Sequence, residues 1–349
     1  MPITANSQRG VALLTILLLV VSITVVAGAM LASQKVAIRR SGLLFSQDQL
    51  LQAIDAGQQL AMMAIRADNN LNDTDSAQDI WAQPLPPYTL SGHSVTAEIR
   101  DEASRFNINN LYHDGKVDGV ALAVLQRLLS QLQLEPEIAI AILDWQDADR
   151  EVYNDGGDET VVYAQTSNRA DSKLANQPFI SIEQLQELSA VDANTLATLR
   201  PYITAVPYYL PINVNTASPT LLAALVEDMD VEQLQPLTDW RSQQVLESID
   251  NLWELPGLSS VSEEQRQLIS PLLAVDSQAF MALITATDST ALGAAKQRFA
   301  TVLIGKTAAA NVNNDVDNTA NNNDGNNDAQ QLKEVKVINQ RLWAFRPNF

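Results

Sequence analysis

The chain has 349 residues, enough for two domains or for one domain with a large insertion. Its net charge of −19 disfavours binding to nucleic-acid phosphates. It contains no cysteine, which excludes disulfides, thiolate metal sites and cysteine nucleophiles. The two histidines, His93 and His113, lie far apart in sequence and provide little material for a zinc site or a histidine-based triad.

The first feature along the chain is a stretch from Gly10 to Gln34 without a charged side chain. Its apolar part, Val11 to Ser33, has the length that a helix needs to cross a bilayer, about 20 residues. A conventional signal peptide is the alternative, because the small residues from Ala27 to Ala29 imitate its cleavage site. Signal peptides have a shorter apolar region, so the pattern favours a helix that is kept.

The helical pattern continues beyond this stretch. Apolar residues recur at helix-like spacing after Lys35, and no proline follows before Pro84. The sequence therefore predicts one helix over residues 11–67. Its first half suits lipid or a helical bundle, and its second half suits packing on a globular domain.

The rest of the chain separates into blocks of strand and helix patterns. Ser94 to Asn109 alternates apolar and polar residues and predicts a β-hairpin with a turn near residues 102–104. Strand patterns return at Phe280. This order predicts an α+β fold, in which an antiparallel sheet is interrupted by a large inserted all-α domain. The predicted parts are an α/β domain over residues 68–114 and 276–349, an inserted helical domain over 115–275, and a low-complexity Asn/Asp loop over 310–329, interpreted as disordered surface.

An acidic loop, residues 144–171, is the best candidate for chemistry. It gathers eight carboxylates, which repel one another in a folded loop unless a cation lies among them. Hard oxygen ligands without a nearby histidine favour calcium over zinc or iron. A solvated acidic loop without a cation is the alternative. The eight residues are Asp144, Asp147, Asp149, Glu151, Asp155, Asp158, Glu159 and Asp171.

The opening stretch resembles the leader of type IV pilin-like proteins. The resemblance implies that prepilin peptidase cuts after Gly10, so that Val11 becomes the new N-terminus and is N-methylated. Such proteins typically carry a glutamate at the fifth mature position, where this chain has Thr15. The usual glutamate pairs with a neighbour's amine, and an unpaired carboxylate in lipid is costly. Its absence fits a subunit without a neighbour on one side, such as a filament tip, or a protein outside this class.

Five local motifs resemble the protein K family of minor pseudopilins in the type II secretion system. They occur in the order of that family, which also lacks the glutamate replaced here by Thr15. After about Gly257 only the strand pattern is similar. The motifs are "DEASRFNINNL" at residues 101–111, "DWQDAD" at 144–149, "GGDE" at 156–159, "LANQPFISIEQL" at 174–185 and "INVNTAS" at 212–218.

This resemblance implies a pseudopilin fold with a long N-terminal helix, and a role at the tip of the periplasmic pseudopilus in exporting folded proteins across the outer membrane. It implies a single-pass inner-membrane protein with its C-terminal domain in the periplasm, although counting basic residues such as Lys35 would favour the cytoplasm. The implied partners are minor pseudopilins of the I, J and H types, prepilin peptidase and exported substrates. The implied cofactor is calcium, with Asp149, Asp155, Asp158, Glu159 and Asp171 as ligands.

Two other functions are weaker alternatives. "INVNTAS" followed by "LWELPGL" resembles the ends of helix-hairpin-helix domains in membrane-anchored DNA receptors. Those domains bind phosphates through glycine-rich turns and basic residues, but between Thr216 and Leu252 there is no glycine and only Arg241 is basic. An enzyme is not expected either, because the sequence has no G-x-S-x-G elbow, no phosphate-binding glycine loop and no paired nucleophile and base.

Overall fold

The computed structural model describes residues 7–69, 73–147, 149, 151–153, 156, 176–241, 243–288, 296–307 and 334–349. Its first element is helix α1, Ser7–Asn69, which has 63 residues and is therefore about 95 Å long. The predicted continuous helix is present, with both ends slightly beyond their predicted positions. The predicted loop 310–329 lies outside the described residues.

The C-terminal half of α1 packs on one face of an antiparallel sheet. Leu50 and Ile54 are buried there among strand side chains. The closest approach is at Gly57, where an added Cβ would lie 2.5 Å from Ile284 Cγ2 and 2.8 Å from Val95 Cγ1. Glycine therefore allows the helix backbone to lie directly against the sheet.

The sheet has five strands in the order β1-β2-β9-β10-β11, all antiparallel. Alternate residues of the central strand, such as Phe280, Ala282 and Ile284, are buried against α1 because successive side chains point to opposite faces. The strand patterns predicted after Phe280 are confirmed as β9 to β11. The strands are β1 Tyr88–Leu90, β2 His93–Asp101, β3 Phe106–Asn107, β4 Tyr112–His113, β5 Lys116–Val117, β6 Ile203–Thr204, β7 Ile212–Asn213, β8 Leu273–Ala274, β9 Ala279–Asp288, β10 Lys296–Thr307 and β11 Glu334–Trp343.

The hairpin predicted over Ser94 to Asn109 is wrong. Strand β2 pairs with β1 and β9, whereas β3 pairs in parallel with β6. Phe106 and Ile108 are fully buried in the core of the helical unit. The free energy gained by burying these two side chains exceeds what a local hairpin would gain. The chain thus leaves the sheet at Asp101, before the boundary predicted at residue 114, and re-enters it at Ala279.

Between these points the chain forms a helical unit with its own large core. Its helices are short and capped locally: Ser218 accepts a hydrogen bond from the Leu221 N–H, and Pro219 opens the helix. The α+β class with an inserted helical unit is confirmed. The helices are α2 Gly119–Gln131, α3 Ile138–Asp144, α4 Ala193–Leu199, α5 Pro219–Ala223, α6 Gln235–Arg241, α7 Ile249–Trp253 and α8 Glu263–Ile269, with 3₁₀ turns at Ile80–Ala82, Ile108–Leu111, Ile182–Glu187, Val231–Leu234 and Ser270–Leu272.

Candidate functional site

The N-terminal part of α1 is an apolar rod that packs against nothing else in the chain as described. From Val11 to Leu31 its large apolar side chains are between 54% and 73% exposed. Within the described residues, α1 is the one helix with the length and composition to cross a membrane, and its most apolar 18-residue window has a mean hydropathy of 2.8. Such a surface is stable in lipid or against other apolar helices, not in water.

The polar side chains of this rod satisfy their hydrogen bonds within the helix. The Thr15 hydroxyl donates to the Ala12 carbonyl at 2.9 Å. Ser22 and Thr24 donate in the same way to carbonyls one turn earlier, at 2.7 and 2.8 Å. None of these three needs an external partner in a bilayer. Gly10, the predicted processing residue, lies inside α1.

A buried polar cluster joins the sheet to the helical unit where β2 ends. Asp101 accepts hydrogen bonds from the Ser277 hydroxyl at 2.6 Å and the Thr216 hydroxyl at 2.5 Å. Burial raises the pKa of Asp101 to about 6, and these two hydrogen bonds oppose that shift. The next two charged residues of the motif, Glu102 and Arg105, form a buried ion pair.

Asn107 continues this cluster into the helical unit. Its amide N–H group donates to the carbonyls of Val206 at 3.1 Å and Tyr208 at 2.7 Å, and its oxygen accepts from the Val206 N–H at 3.0 Å. Arg105 and Asn107 thus satisfy carboxylate and backbone groups at the junction. The "DEASRFNINNL" motif is therefore structural: it fixes how the insertion leaves the sheet.

The acidic loop begins with three neighbouring carboxylates. Asp144 ends α3 and accepts from the Tyr153 N–H at 3.1 Å. Asp147 is buried, and its Oδ1 atom has no hydrogen-bond partner among the described residues. Burial, followed by the charges of Asp149 and Asp144, raises the pKa of Asp147 to about 7. Asp149 is exposed and accepts from the Glu151 N–H at 2.8 Å.

These carboxylates fit a hard cation, because a buried carboxylate oxygen without a donor is costly unless a proton or a metal occupies it. Of the predicted ligands, the structure describes Asp149. Asp155, Asp158, Glu159 and Asp171 lie outside the described residues. Asp147 was not among the predicted ligands, since its burial has no signature in the local sequence.

Two family profiles described as "Type II secretion system (T2SS), protein K" match residues 104–208 and 212–276. Type II secretion system protein K of Pseudomonas aeruginosa is 31% identical over 257 residues, which cover 70% of this chain and 76% of the relative. The chain belongs to the protein K family of the type II secretion system. Protein K of Klebsiella pneumoniae is 29% identical over 285 residues, covering 74% of this chain and 86% of the relative.

The fold of the family is also that of a solved structure. In the GspK–GspI–GspJ complex from the type 2 secretion system of enterotoxigenic Escherichia coli, one chain matches with a TM-score of 0.68 and 20% identity. The match covers 87% of this chain and 99% of that chain. Members of the protein K family are minor pseudopilins, so the predicted class of protein is confirmed. The DNA-receptor alternative finds no support.

Proposed function

We propose that this chain caps the tip of a periplasmic pseudopilus and, through it, helps to export folded proteins across the outer membrane. The observation that carries the proposal is the division of α1. One half is an exposed apolar rod, and the other half is packed on a sheet that carries a bulky helical unit. A rod of this kind can pack into the core of a filament. The helical unit is too bulky for a subunit within the regular helical part of the filament, but it can be accommodated at the filament tip.

Thr15 supports a terminal position in the filament. A subunit with no neighbour beyond it has no amine to pair with a carboxylate, and an unpaired carboxylate would be costly in an apolar core. The Thr15 hydroxyl instead bonds within its own helix. This role is structural and requires no catalytic step.

The proposed partners are other minor pseudopilins. The related GspK occurs in a complex with GspI and GspJ, and we extend the I and J types, together with the H type, to this chain. The apolar rod would contact them in the filament, after first spanning the inner membrane. Prepilin peptidase would act on the leader, exported proteins would meet the tip, and the globular part would stand in the periplasm.

Cleavage after Gly10 is the first test of this role. We expect a mature chain that starts at N-methylated Val11 when intact mass and N-terminal sequence are measured on protein from its native membrane. A Gly10→Val variant should keep Met1, because the peptidase would no longer meet glycine at the cleavage site. An N-terminus near Ser33 would mean ordinary signal cleavage and would refute the filament role, as would an unprocessed natural chain.

We further propose that calcium orders the acidic loop. The unpartnered oxygen of buried Asp147 beside Asp149 supports this, and it adds Asp147 to the ligand set of Asp149, Asp155, Asp158, Glu159 and Asp171. Calcium would neutralise carboxylates that otherwise repel one another, and these residues would hold it through oxygen atoms.

Removing calcium should therefore lower the stability of the full chain in detergent. At a calcium concentration 100 times the Kd, binding contributes about 2.7 kcal/mol, which a chelator would remove as a lower Tm. An Asp147→Asn, Asp149→Asn chain should bind calcium at least tenfold more weakly in calorimetry. Exposed Asp250 provides a matched control as Asp250→Asn, which should bind like the unmodified chain. Equal affinity in all three chains would contradict the calcium assignment.

A further inference from the structure

A second group of carboxylates lies away from the acidic loop in sequence, at the end of α1. Asp68 stands in the last turn of the helix, and Asp75 and Asp79 stand in the connection to β1. One carboxylate oxygen from each lies within 4.8 Å of those from the other two. No pattern in the sequence indicates this cluster, because aspartates in a loop rich in Asp and Asn are ordinary surface residues.

The cluster differs from a solvated acidic patch because two of its three carboxylates are buried. Asp68 is 2% exposed and Asp75 is 0% exposed. Asp68 Oδ2 and Asp75 Oδ1 have no hydrogen-bond partner among the described residues. Buried polar atoms are nearly always paired in folded proteins. Ionised carboxylate oxygens only accept, so these two oxygens require a proton, a hydrogen-bond donor or a cation beside them.

The protein's own groups compensate only part of the charge. The Lys306 ammonium binds Asp75 Oδ2 at 2.5 Å, and the Ser277 N–H donates to the same oxygen at 2.7 Å. Asp79 accepts from the N–H and hydroxyl of Ser76 at 2.6 and 3.0 Å. Three carboxylates and one ammonium leave two negative charges in a largely buried space.

We propose that Asp68, Asp75 and Asp79 hold one divalent cation of the calcium type. Oxygen-only ligands select a hard cation, and one divalent ion balances the remaining charge. The alternative occupant is a proton on Asp68: burial, followed by Asp79 and Asp75, raises the pKa of Asp68 to about 7 while Lys306 lowers it. A proton on Asp68 can be donated to the unpartnered Asp75 oxygen, but it neutralises only one of the two remaining negative charges. A divalent cation neutralises both and also accounts for the approach of the third carboxylate.

The position of this site gives the cation a role in the fold. Asp75 also anchors the junction with the helical unit: its N–H donates to the Val275 carbonyl at 3.0 Å, and its carbonyl accepts from the Asn213 amide at 2.9 Å. Lys306 ends β10. A cation here would link the C-terminal end of α1 to the sheet and to the helical unit, and its binding would stabilise the arrangement of these three parts.

The test is calcium titration of the full chain in detergent after chelation, read by calorimetry and by Tm. An Asp68→Asn, Asp79→Asn chain should bind one calcium ion fewer than the unmodified chain and show a smaller rise of Tm with calcium. These substitutions keep side-chain shape, and Asp75 is left intact to preserve its bond to Lys306. Asp73→Asn, an exposed residue of the same connection, should change neither quantity.

A second double variant distinguishes calcium bound at the acidic loop from calcium bound at this site. The Asp147→Asn, Asp149→Asn chain should keep the ion at Asp68, so each pair of substitutions should remove a different ion. An unchanged stoichiometry in a folded Asp68→Asn, Asp79→Asn chain would overturn the proposal and leave a proton as the occupant.

A second measurement avoids altering the ligands. Trp81 is buried in the 3₁₀ turn Ile80–Ala82, directly after Asp79. Tb³⁺ binds at calcium sites and should luminesce by energy transfer when a nearby tryptophan is excited. The measurement uses a Trp145→Phe background, which removes the tryptophan next to the acidic loop. In this background Trp81→Phe should reduce the Tb³⁺ luminescence by more than half. Luminescence unaffected by Trp81→Phe would count against a site at Asp68.

Discussion

Replacing Asn107 by alanine is expected to lower the free energy of unfolding by about 3 kcal/mol or more, because each buried polar group left unpaired costs about 1–3 kcal/mol. Asn107 is fully buried. Its amide is the donor to the Tyr208 carbonyl at 2.7 Å and the acceptor for the Val206 N–H at 3.0 Å. Alanine removes the side-chain amide, so the Tyr208 carbonyl and the Val206 N–H both lose this hydrogen-bond partner. It also leaves a buried cavity in place of the amide.

The measurement is thermal or urea unfolding of the full chain in detergent, beside an Asn251→Ala chain. Asn251 is exposed in a short helix of the same unit, so its loss should cost a few tenths of a kcal/mol. The difference in unfolding free energy between the two variants separates the contribution of the buried hydrogen bonds from the general effect of losing an asparagine. Equal stability of both variants would show that water or backbone shifts replace the Asn107 bonds.

The elements that could be predicted from sequence are those whose signal is local and long. Helix α1 follows from the absence of charge between Gly10 and Gln34 and from the absence of proline between Gly10 and Pro84. Strands β9 to β11 follow from the strand patterns that return at Phe280, and the central strand β9 is buried along most of its length. In each case the pattern that specifies the element lies within the element, and tertiary packing agrees with it.

The hairpin failed because alternation specifies a strand but not its partner. Phe106 and Ile108 have the spacing of a return strand, yet a helical core that forms far along the chain buries them more completely. The residues that close this contact, Ile203 and Thr204, cannot be identified as partners from the segment itself. Short strands of two residues carry too little pattern to compete with burial.

The carboxylate groups of the two proposed cation sites were predictable to different extents. The acidic loop was visible because its carboxylates are close in sequence, although the burial of Asp147 was not. The cluster at Asp68 and Asp75 depends on Lys306, which is 231 residues from Asp75 along the chain. Burial and charge compensation are tertiary properties, so a lone aspartate near a helix end carries no sign of either.

Replacing Gly57 by leucine is expected to destabilise the fold by about 3 kcal/mol, at the upper end of the cost of overpacking a core. An added Cβ would lie 2.5 Å from Ile284 Cγ2 and 2.8 Å from Val95 Cγ1, and both are branches of stiff side chains on the central strands. Leucine extends further in the same direction. The helix must then move off the sheet, which exposes Ile54 and its neighbours on both sides of the contact.

Gly42 provides the matched control, because it lies in the same helix and an added Cβ there would meet nothing within 4 Å. Gly42→Leu should therefore gain about 0.8 kcal/mol from helix propensity, the same gain that the clash at Gly57 must overcome. Unfolding of both full-length variants in detergent measures the difference. Because α1 joins the apolar rod to the globular part, Gly57→Leu should also reduce co-purification with other minor pseudopilins, whereas Gly42→Leu should affect that readout only if Gly42 itself lies in the filament contact. A Gly57→Leu chain as stable as the unmodified one would mean that the helix and sheet separate without cost, and that the rod is attached to the globular part by something other than this contact.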